Sequence, residues 1–182
     1  MQDKEQEQQQ KAYDEEEISV SGLNVVAQKD LYYSIQVTDA VPYELNYDHN
    51  SKEWGENMVD NPHLFDDEHR VAINIKVTNY QDRLATYNNP TNIMKLYIED
   101  ENANTIAIQE KSFLNGSTDD NFYSGGKMIS GTPFRDSYEK DLKKNQNMTW
   151  WVPVVVNENS KKLVLHFDYN MTITIDNPCA AE

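Results

Sequence analysis

The chain has 182 residues, a formal net charge of −15, 38% hydrophobic residues and 26% charged residues, which fits one domain able to bury its own core. This charge argues against sequence-independent nucleic-acid binding, which needs lysine and arginine at the phosphates, and against docking on anionic lipid head groups. The single cysteine, Cys179, excludes an internal disulfide and a cysteine-based zinc site, and no apolar stretch reaches the length of a membrane span.

Residues 1–17 read MQDKEQEQQQKAYDEEE, a polar run broken only by Ala12 and Tyr13. Such a segment cannot bury apolar surface, so we predict a disordered leader. A short helix is the alternative, because Glu, Gln and Lys form helices well, but it would have no apolar face with which to dock. The composition suits a tether between a membrane anchor and a folded domain, and it suits a solvated tail with no role equally well.

Strand patterns begin at residue 18. Segments 18–27 and 31–43 predict two strands, the second with a bulge or an end at Asp39. The predicted inward residues of the second strand are Leu31, Tyr33, Ile35 and Val37. Segment 69–80, HRVAINIKVTNY, alternates apolar and polar residues with the period of two typical of a strand with one face in the core. Segment 94–109 predicts a hairpin around EDENAN, which is rich in turn formers.

Two long connections interrupt these strands. Segment 46–68 is polar, with Trp54 and Phe65 as its large anchors. Segment 110–148 holds four of the six glycines and no sustained period, which predicts an irregular connection. Within it we predict a short helix over 136–144, capped by Asp136 or Ser137 and favoured by lysines in its last turn.

The remaining sequence predicts three more strands. Segments TWWVPVVV and KLVLHF flank the turn NENS, and MTITI follows at 171–175. The spacing of strands and turns is typical of an all-β, antiparallel β-sandwich over 18–176, with a flexible tail at 177–182. A small barrel and an open meander with one helix are the alternatives.

The adjacent tryptophans lie on opposite faces of the predicted strand. Trp150 shares its face with Val152, Val154 and Val156 and is the expected core anchor. Trp151 lies with Pro153, which cannot donate to a sheet ladder and therefore predicts an edge or a bulge. We expect Trp151 and Pro153 to form an interaction surface.

Four segments in order carry a family resemblance: LYYSIQVTDAV, HRVAINIKVTNY, KLYIEDENANTIAI and LKKNQNMTWWVPVVVNENSKKLVLHF. This order resembles the immunoglobulin-like accessory domain of exported bacterial lipoproteins, which is related to the mycobacterial immunoprotective secreted antigen. The chain departs from it in a longer insert at 110–140 and in LKKNQN, where a glycine is usual. The resemblance covers 18–176 and implies an immunoglobulin-like fold, no catalytic residues, an extracellular or cell-envelope location, and a lipid-bearing cysteine upstream of Met1.

The best metal candidate is the loop NPHLFDDEHR, where imidazoles and carboxylates lie within eight residues. Its candidate ligands are His63, Asp66, Asp67 and His69. Zinc would need three or four of them in tetrahedral geometry. DENAN at 100–104 begins like a calcium loop, but the residues that follow depart from that pattern, and its flanks are strand-like, so a hairpin turn is favoured. We expect no cofactor, with zinc or calcium as the alternative.

The sequence carries no nucleotide-binding or nucleophile-elbow motif, and we expect no enzyme. The expected function is a non-enzymatic extracytoplasmic domain that binds a protein or a cell-envelope component, reaching the membrane only through an N-terminal lipid anchor. The alternative is a metal- or small-ligand-binding domain that uses the 46–68 and 110–140 loops.

Overall fold

The computed structural model describes residues 2–46, 64–84, 91, 94–108, 121–124, 127–128 and 141–182. The described residues form helix α1 over Gln2–Glu15 and fourteen strands. The strands are β1 Ile18–Ser21, β2 Val26–Lys29, β3 Tyr33–Pro42, β4 Glu44–Asn46, β5 Glu68–Asn79, β6 Arg83–Leu84, β7 Tyr97–Asp100, β8 Thr105–Ile106, β9 Asn121–Ser124, β10 Lys127–Met128, β11 Leu142–Lys143, β12 Asn147–Asn157, β13 Lys162–Phe167 and β14 Met171–Asp176.

Two main sheets form the fold. One has the strand order β1-β14-β13-β7-β8, and the other has the order β12-β5-β3-β2. Neighbouring strands are antiparallel except β1 and β14, which run parallel. Two smaller sheets, β10-β9-β4 and β11-β6, accompany them. The predicted antiparallel β-sandwich is therefore confirmed.

The core lies between the two main sheets, and the alternation in sequence places its residues. Along β5, every second residue from Val71 to Val77 is fully buried, as predicted. Along β12, Trp150 is fully buried and shares its face with three buried valines. The opposite sheet contributes Leu163, Leu165, Ile173 and Ile175. Each such aliphatic side chain stabilises the fold by about 1.5–3 kcal/mol relative to its exposed state.

Strand β3 departs from the prediction at its start. Leu31 is 53% exposed, because β3 begins at Tyr33 and Leu31 lies in the preceding turn. The register of β3 against β5 shifts between Val37 and Asp39, which confirms the predicted bulge. The hairpin predicted at 94–109 is also confirmed, with β7 and β8 paired antiparallel.

In the segment predicted as a disordered leader, with a short helix as the alternative, residues 2–15 form helix α1. The helix buries none of its residues and docks through its end. Lys29 Nζ donates to the carbonyl oxygens of Tyr13 and Asp14, both at 2.9 Å, and Asn170 Nδ2 donates to Glu15 O at 2.8 Å. The last carbonyls of a helix lack intrahelical donors, so polar caps can hold a helix that has no apolar face.

An aromatic cluster beside these caps completes the docking. The Tyr32 ring stacks on Tyr169 with centroids 3.6 Å apart, and Tyr13 lies 6.0 Å from Tyr32. The Tyr32 hydroxyl donates to Asp14. Tyr169 adopts φ 59°, a left-handed conformation that is uncommon outside glycine.

Two further predictions need correction. The helix over 136–144 does not reach its predicted end, because Leu142–Lys143 is strand β11, paired with β6, and Leu142 is buried. The insert predicted to be irregular contains β9 and β10. Pairing with a distant strand decides the structure of residues 142 and 143. Residues 129–140, which include the predicted caps, and Trp54 lie outside the described residues.

The tail at 177–182, predicted to be flexible, is held against the β12–β13 turn by hydrogen bonds of Asn177. Its side chain is buried and its Nδ2 donates to the carbonyls of Asn157, at 3.1 Å, and Ser160, at 2.8 Å. The backbone of Ala181 donates to Glu158 O at 2.7 Å. Cys179 is half-buried in this arrangement, and burial raises the pKa of its thiol.

Candidate functional site

A cleft of about 440 Å³ opens at one end of the sandwich, between the edge strands β8 and β12. We call it the edge cleft. Its side walls include Thr105 and Ile106 of β8, and Val155 and Asn157 of β12. Strand β8 is the last strand of the five-stranded sheet, and β12 is the last strand of the four-stranded sheet.

The cleft lies where the chain segment that contains β8 and strand β12 meet at a single bridge and, in the part of the chain that the structure describes, do not pair further. Ile108 and Val154 form an isolated antiparallel bridge between the chain after β8 and strand β12. Beyond this bridge, the described residues of the two strands are not paired with each other, and the edge cleft lies between them. Backbone donors and acceptors at such open edges are available to another chain.

The β7–β8 turn forms one rim and is fixed by Asp100. Asp100 Oδ1 accepts hydrogen bonds from the backbone N–H groups of Asn102 at 2.8 Å and Asn104 at 2.9 Å. Its Oδ2 accepts from Asn104 Nδ2 and from Ser160 Oγ, both at 3.0 Å. Burial alone would raise the pKa of Asp100, but the hydrogen bonds from Asn104, Asn102 and Ser160 outweigh it and lower the pKa below its usual value.

The β12–β13 turn forms the adjoining rim, because β13 pairs with β7 and places Leu163 opposite Asp100. Asn157 Oδ1 accepts from Asn159 N at 2.9 Å, and Ser160 N donates to Asn157 O at 3.0 Å. Asn157 Nδ2 donates to Asp67 Oδ2 at 2.9 Å, which joins this turn to the start of β5. The rim is therefore held by side-chain hydrogen bonds on both sides.

The entry to β5 supplies the third side of the site. Glu68 lines the edge cleft and lies opposite Asn157 in the β5–β12 register. Its Oε1 accepts from Phe65 N at 3.0 Å, and Glu68 N donates to Phe65 O at 2.9 Å. Phe65, expected to be an anchor of its loop, is instead 76% exposed.

The lining of the cleft is mostly polar, and its ionisable side chains are all acidic. It combines the carboxylates Glu68 and Asp100 with the carboxamides of Asn102, Asn104, Asn157 and Asn159. Two hydroxyls and two aliphatic side chains complete it, and no described lining residue is cationic. Such a surface can accept hydrogen bonds from an organic cation and pair with peptide groups.

The predicted metal ligands are only partly brought together. Asp67 and His69 lie at this end of the fold, but Asp67 bonds to Asn157, and His69 Nε2 lies 3.0 Å from Glu158 Oε2. Asp66 is exposed, and His63 lies outside the described residues. Within the described ranges, no three His, Cys, Asp or Glu side chains are grouped as a metal site. The metal site therefore stays a prediction.

The predicted interaction residues lie on the face of β12 away from the core. Trp151 is half-buried and packs with Val41, Tyr43 and Ala72 in a small second cluster. Pro153 is buried opposite Ala72, on a strand that is a sheet edge as its proline predicts. The burial of Pro153 leaves Trp151 as the more accessible of the two, and their role in binding stays a prediction.

Sequence reasoning did not identify the edge cleft. The sequence predicts its two turns, EDENAN and NENS. No local sequence pattern shows that these turns, 60 residues apart along the chain, come together in the fold. The available signal is the density of Asp, Asn and Ser in both turns, since these side chains bond to nearby backbone groups. The sequence around Glu68 does not indicate a place in a cleft, because Glu68 belongs to an acidic run that is typical of a solvated loop.

Neither a family model nor a curated protein matches the sequence. The fold is similar to a candidate lipoprotein of Bacillus subtilis, at 10% identity and TM-score 0.47 over 84% of this chain and 38% of that chain. It is also similar to an uncharacterised β-sandwich protein of Clostridium difficile, at 10% identity and TM-score 0.44 over 89% of this chain and 96% of that one.

A third similar structure is the secreted protein MPT63 of Mycobacterium tuberculosis, at 9% identity and TM-score 0.41 over 86% and 96% of the two chains. The chain spans well under half the length of the Bacillus protein. The described residues contain no helix with the length and apolar character needed to cross a membrane.

Proposed function

We propose that this chain is a non-enzymatic, extracytoplasmic β-sandwich domain that binds a partner protein of the cell envelope through the edge cleft. The observation that carries the proposal is the parting of β8 and β12 beyond the Ile108–Val154 bridge. Two sheet edges that face one gap give an extended chain main-chain hydrogen-bond partners, which is the basis of recognition by strand addition.

The rigidity of the cleft supports a binding role. Its three rims are joined by hydrogen bonds between Asp100 and Ser160, between Asn157 and Asp67, and between Asn177 and the β12–β13 turn. A site that is already ordered loses less conformational entropy when a partner binds.

The titratable groups support a non-catalytic role. Both oxygens of Asp100 are engaged by donors, one of which is the Ser160 hydroxyl. His166 lies on the outer face of the five-stranded sheet, stacked on Tyr97 with its Nε2 3.2 Å from Glu99. These groups do not form the nucleophile-and-base arrangement that covalent catalysis needs.

An extracytoplasmic location is supported by the strand order that resembles exported lipoprotein domains and by the form of the leader. Helix α1 has 14 residues, none of them buried, and it is held to the sandwich through Gln10 and its last turn. A helix of that length spans roughly 21 Å and would separate the sandwich from whatever precedes it.

A small ligand is the second candidate. The cleft volume of about 440 Å³ lies within the range of sites for small molecules. The open strand edges favour a polypeptide, because a small ligand would not pair along them.

Site-specific photo-crosslinking tests the proposal. A photoreactive phenylalanine analogue is placed at Asn159, in the edge cleft, and in a matched variant at Glu17, which precedes β1 on the opposite edge of the five-stranded sheet. Both variants are exposed to envelope and cytosolic extracts, and the adducts are identified by mass spectrometry.

We expect one recurrent protein adduct from the Asn159 position with envelope extract, which excess unlabelled protein removes. Equal adducts from both positions, or an adduct found only with cytosolic extract, would contradict the proposal. Thermal melting of both variants serves as the control for folding.

A further inference from the structure

We propose that the edge cleft receives a lysine or arginine side chain from an extended segment of the partner protein, and that Glu68 pairs with its charge. This inference rests on the proposed function and adds the chemistry of the occupant. It follows from the charge of the cleft, from the state of its two carboxylates and from the backbone edges beside them.

The ionised side chains that line the cleft have one sign, and Arg70 lies beside them on β5, opposite the lining residue Val155. The lining contributes Glu68 and Asp100, and the turns that carry the lining also carry Asp67, Glu101 and Glu158. The lysines that follow the β12–β13 turn are engaged elsewhere: Lys161 Nζ donates to Ala181 O, and Lys162 Nζ pairs with Asp176. A cation entering the cleft therefore meets carboxylates and no competing positive side chain of the lining.

The two lining carboxylates differ in what they can still accept. Asp100 receives four hydrogen bonds, from Asn102, from Ser160 and twice from Asn104. Glu68 receives one hydrogen bond, at Oε1 from Phe65 N, and its Oε2 takes none from the described residues. Glu68 is half-buried, so an ion pair made there is less screened by water than one on the open surface.

The proposed partner is an extended polypeptide, because the groups around Glu68 can form hydrogen bonds with a polypeptide backbone. Side-chain amides at Asn104 and Asn159 match the donors and acceptors of a peptide group, and the edges of β8 and β12 flank them. Phe65, 76% exposed in the turn before Glu68, offers an apolar contact for a neighbouring side chain of the same segment.

Calorimetric titration with defined probes tests the inference. The probes are a short acetylated and amidated peptide of alternating valine and threonine with one central lysine, its twin with glutamine in place of lysine, and spermidine. Each is titrated into the full chain, into Glu68→Gln and into Glu17→Gln. Glu68→Gln keeps an oxygen that can accept from Phe65 N, and Glu17→Gln removes the same charge at the opposite sheet edge.

We expect the unsubstituted chain to bind the lysine peptide about fivefold more tightly than its twin, and the difference to narrow as salt is raised. Glu68→Gln is expected to bind the two peptides alike, whereas Glu17→Gln keeps the preference. Equal binding of the twins by the unsubstituted chain would overturn the inference and leave the proposed function standing.

Two other outcomes separate the remaining explanations. Spermidine that binds as tightly as the lysine peptide would assign the site to free polyamines and overturn a peptide occupant. Absence of binding by both peptides, together with absence of adducts from the Asn159 crosslinker, would overturn the inference and the proposed function together.

Discussion

Ser160 and Asp100 are joined by a 3.0 Å hydrogen bond from the serine hydroxyl to Oδ2, across 60 residues of sequence. This bond connects the turn after β7 with the turn after β12. Both turns line the edge cleft, so this bond to a buried carboxylate is one of the contacts that join its walls, together with the bonds from Lys161 N and Lys162 N to Glu101.

The first prediction concerns this carboxylate. Asp100→Asn places an amide where Asp100 now accepts from Ser160 and Asn104, so we expect the free energy of unfolding to fall by about 1–3 kcal/mol. Ser160→Ala, which removes one of the four bonds, should cost about 1 kcal/mol. Urea unfolding measures both, and equal stability of all three proteins would refute the role given to Asp100.

Acid provides a second test of the same residue. The pKa of Asp100 is lowered in the folded protein, so its contribution to stability is present above the ordinary carboxyl pKa, near 4, and is lost as the pH falls through the lowered value. In the acid range below pH ~4, we therefore expect Asp100→Asn to lose stability less steeply than the unsubstituted chain. Parallel acid profiles would contradict this expectation.

The third prediction concerns the docking of helix α1. Lys29→Met keeps a long side chain but removes the donor to Tyr13 O and Asp14 O. Loss of these charged hydrogen bonds should weaken docking by roughly 1.5–3 kcal/mol and speed amide exchange at the end of α1 by about tenfold or more. Lys4→Met, in the exposed first turn, is the matched control. Unchanged exchange in Lys29→Met would show that Lys29 does not hold the helix.

Alkali should release the same helix. Burial, followed by the hydrogen bond to Asp14, raises the pKa of Tyr32 to about 12. A raised pKa in the fold means that the stabilisation is present below the ordinary tyrosine pKa of ~10 and is lost as the pH rises toward about 12. Ultraviolet titration should show one fewer late-ionising tyrosine in Tyr32→Phe. The protection of the α1 amides, corrected for base-catalysed exchange, should fall less over this pH range in Tyr32→Phe than in the unsubstituted chain, and an equal fall would contradict this role of Tyr32.

The fifth prediction separates the two adjacent tryptophans. Trp150 is fully buried, so Trp150→Ala should lower the free energy of unfolding by about 3–5 kcal/mol. Trp151 is half-buried, so Trp151→Ala should lower it by clearly less. The buried Trp150 Nε1 has no hydrogen-bond partner among the described residues, and both Trp150→Phe and Trp150→Ala remove this donor. Trp150→Phe should lower the free energy of unfolding less than Trp150→Ala, because the phenyl ring leaves a smaller cavity. Equal losses for Trp150→Ala and Trp151→Ala in urea unfolding would contradict the assignment of faces.

The sheets were predictable where one periodic signal decided the structure. Alternation along 69–80 identified the core face of β5, and Pro153 indicated that β12 is an edge. The β7–β8 hairpin followed from its turn residues. These are local signals, since a strand with one buried face must alternate.

The features that were missed depend on distant partners. Helix α1 is held by Lys29 and Asn170, and no pattern within 1–17 reports those donors. Strand β11 forms because Leu142 pairs with Leu84, against a local helix signal. The edge cleft needs Glu68, Asp100 and Ser160 side by side, which only the sheet register brings about.

The most direct test of the edge cleft as a binding site is an amide chemical-shift map of the isotopically labelled chain titrated with the lysine peptide. We expect the largest shifts at Thr105, Ile106, Val155, Asn157 and Asn159, with saturation at the same peptide concentration for all of them. Shifts concentrated instead on the exposed apolar segment Leu23–Val26 at the opposite edge, or spread evenly over the surface, would contradict the account.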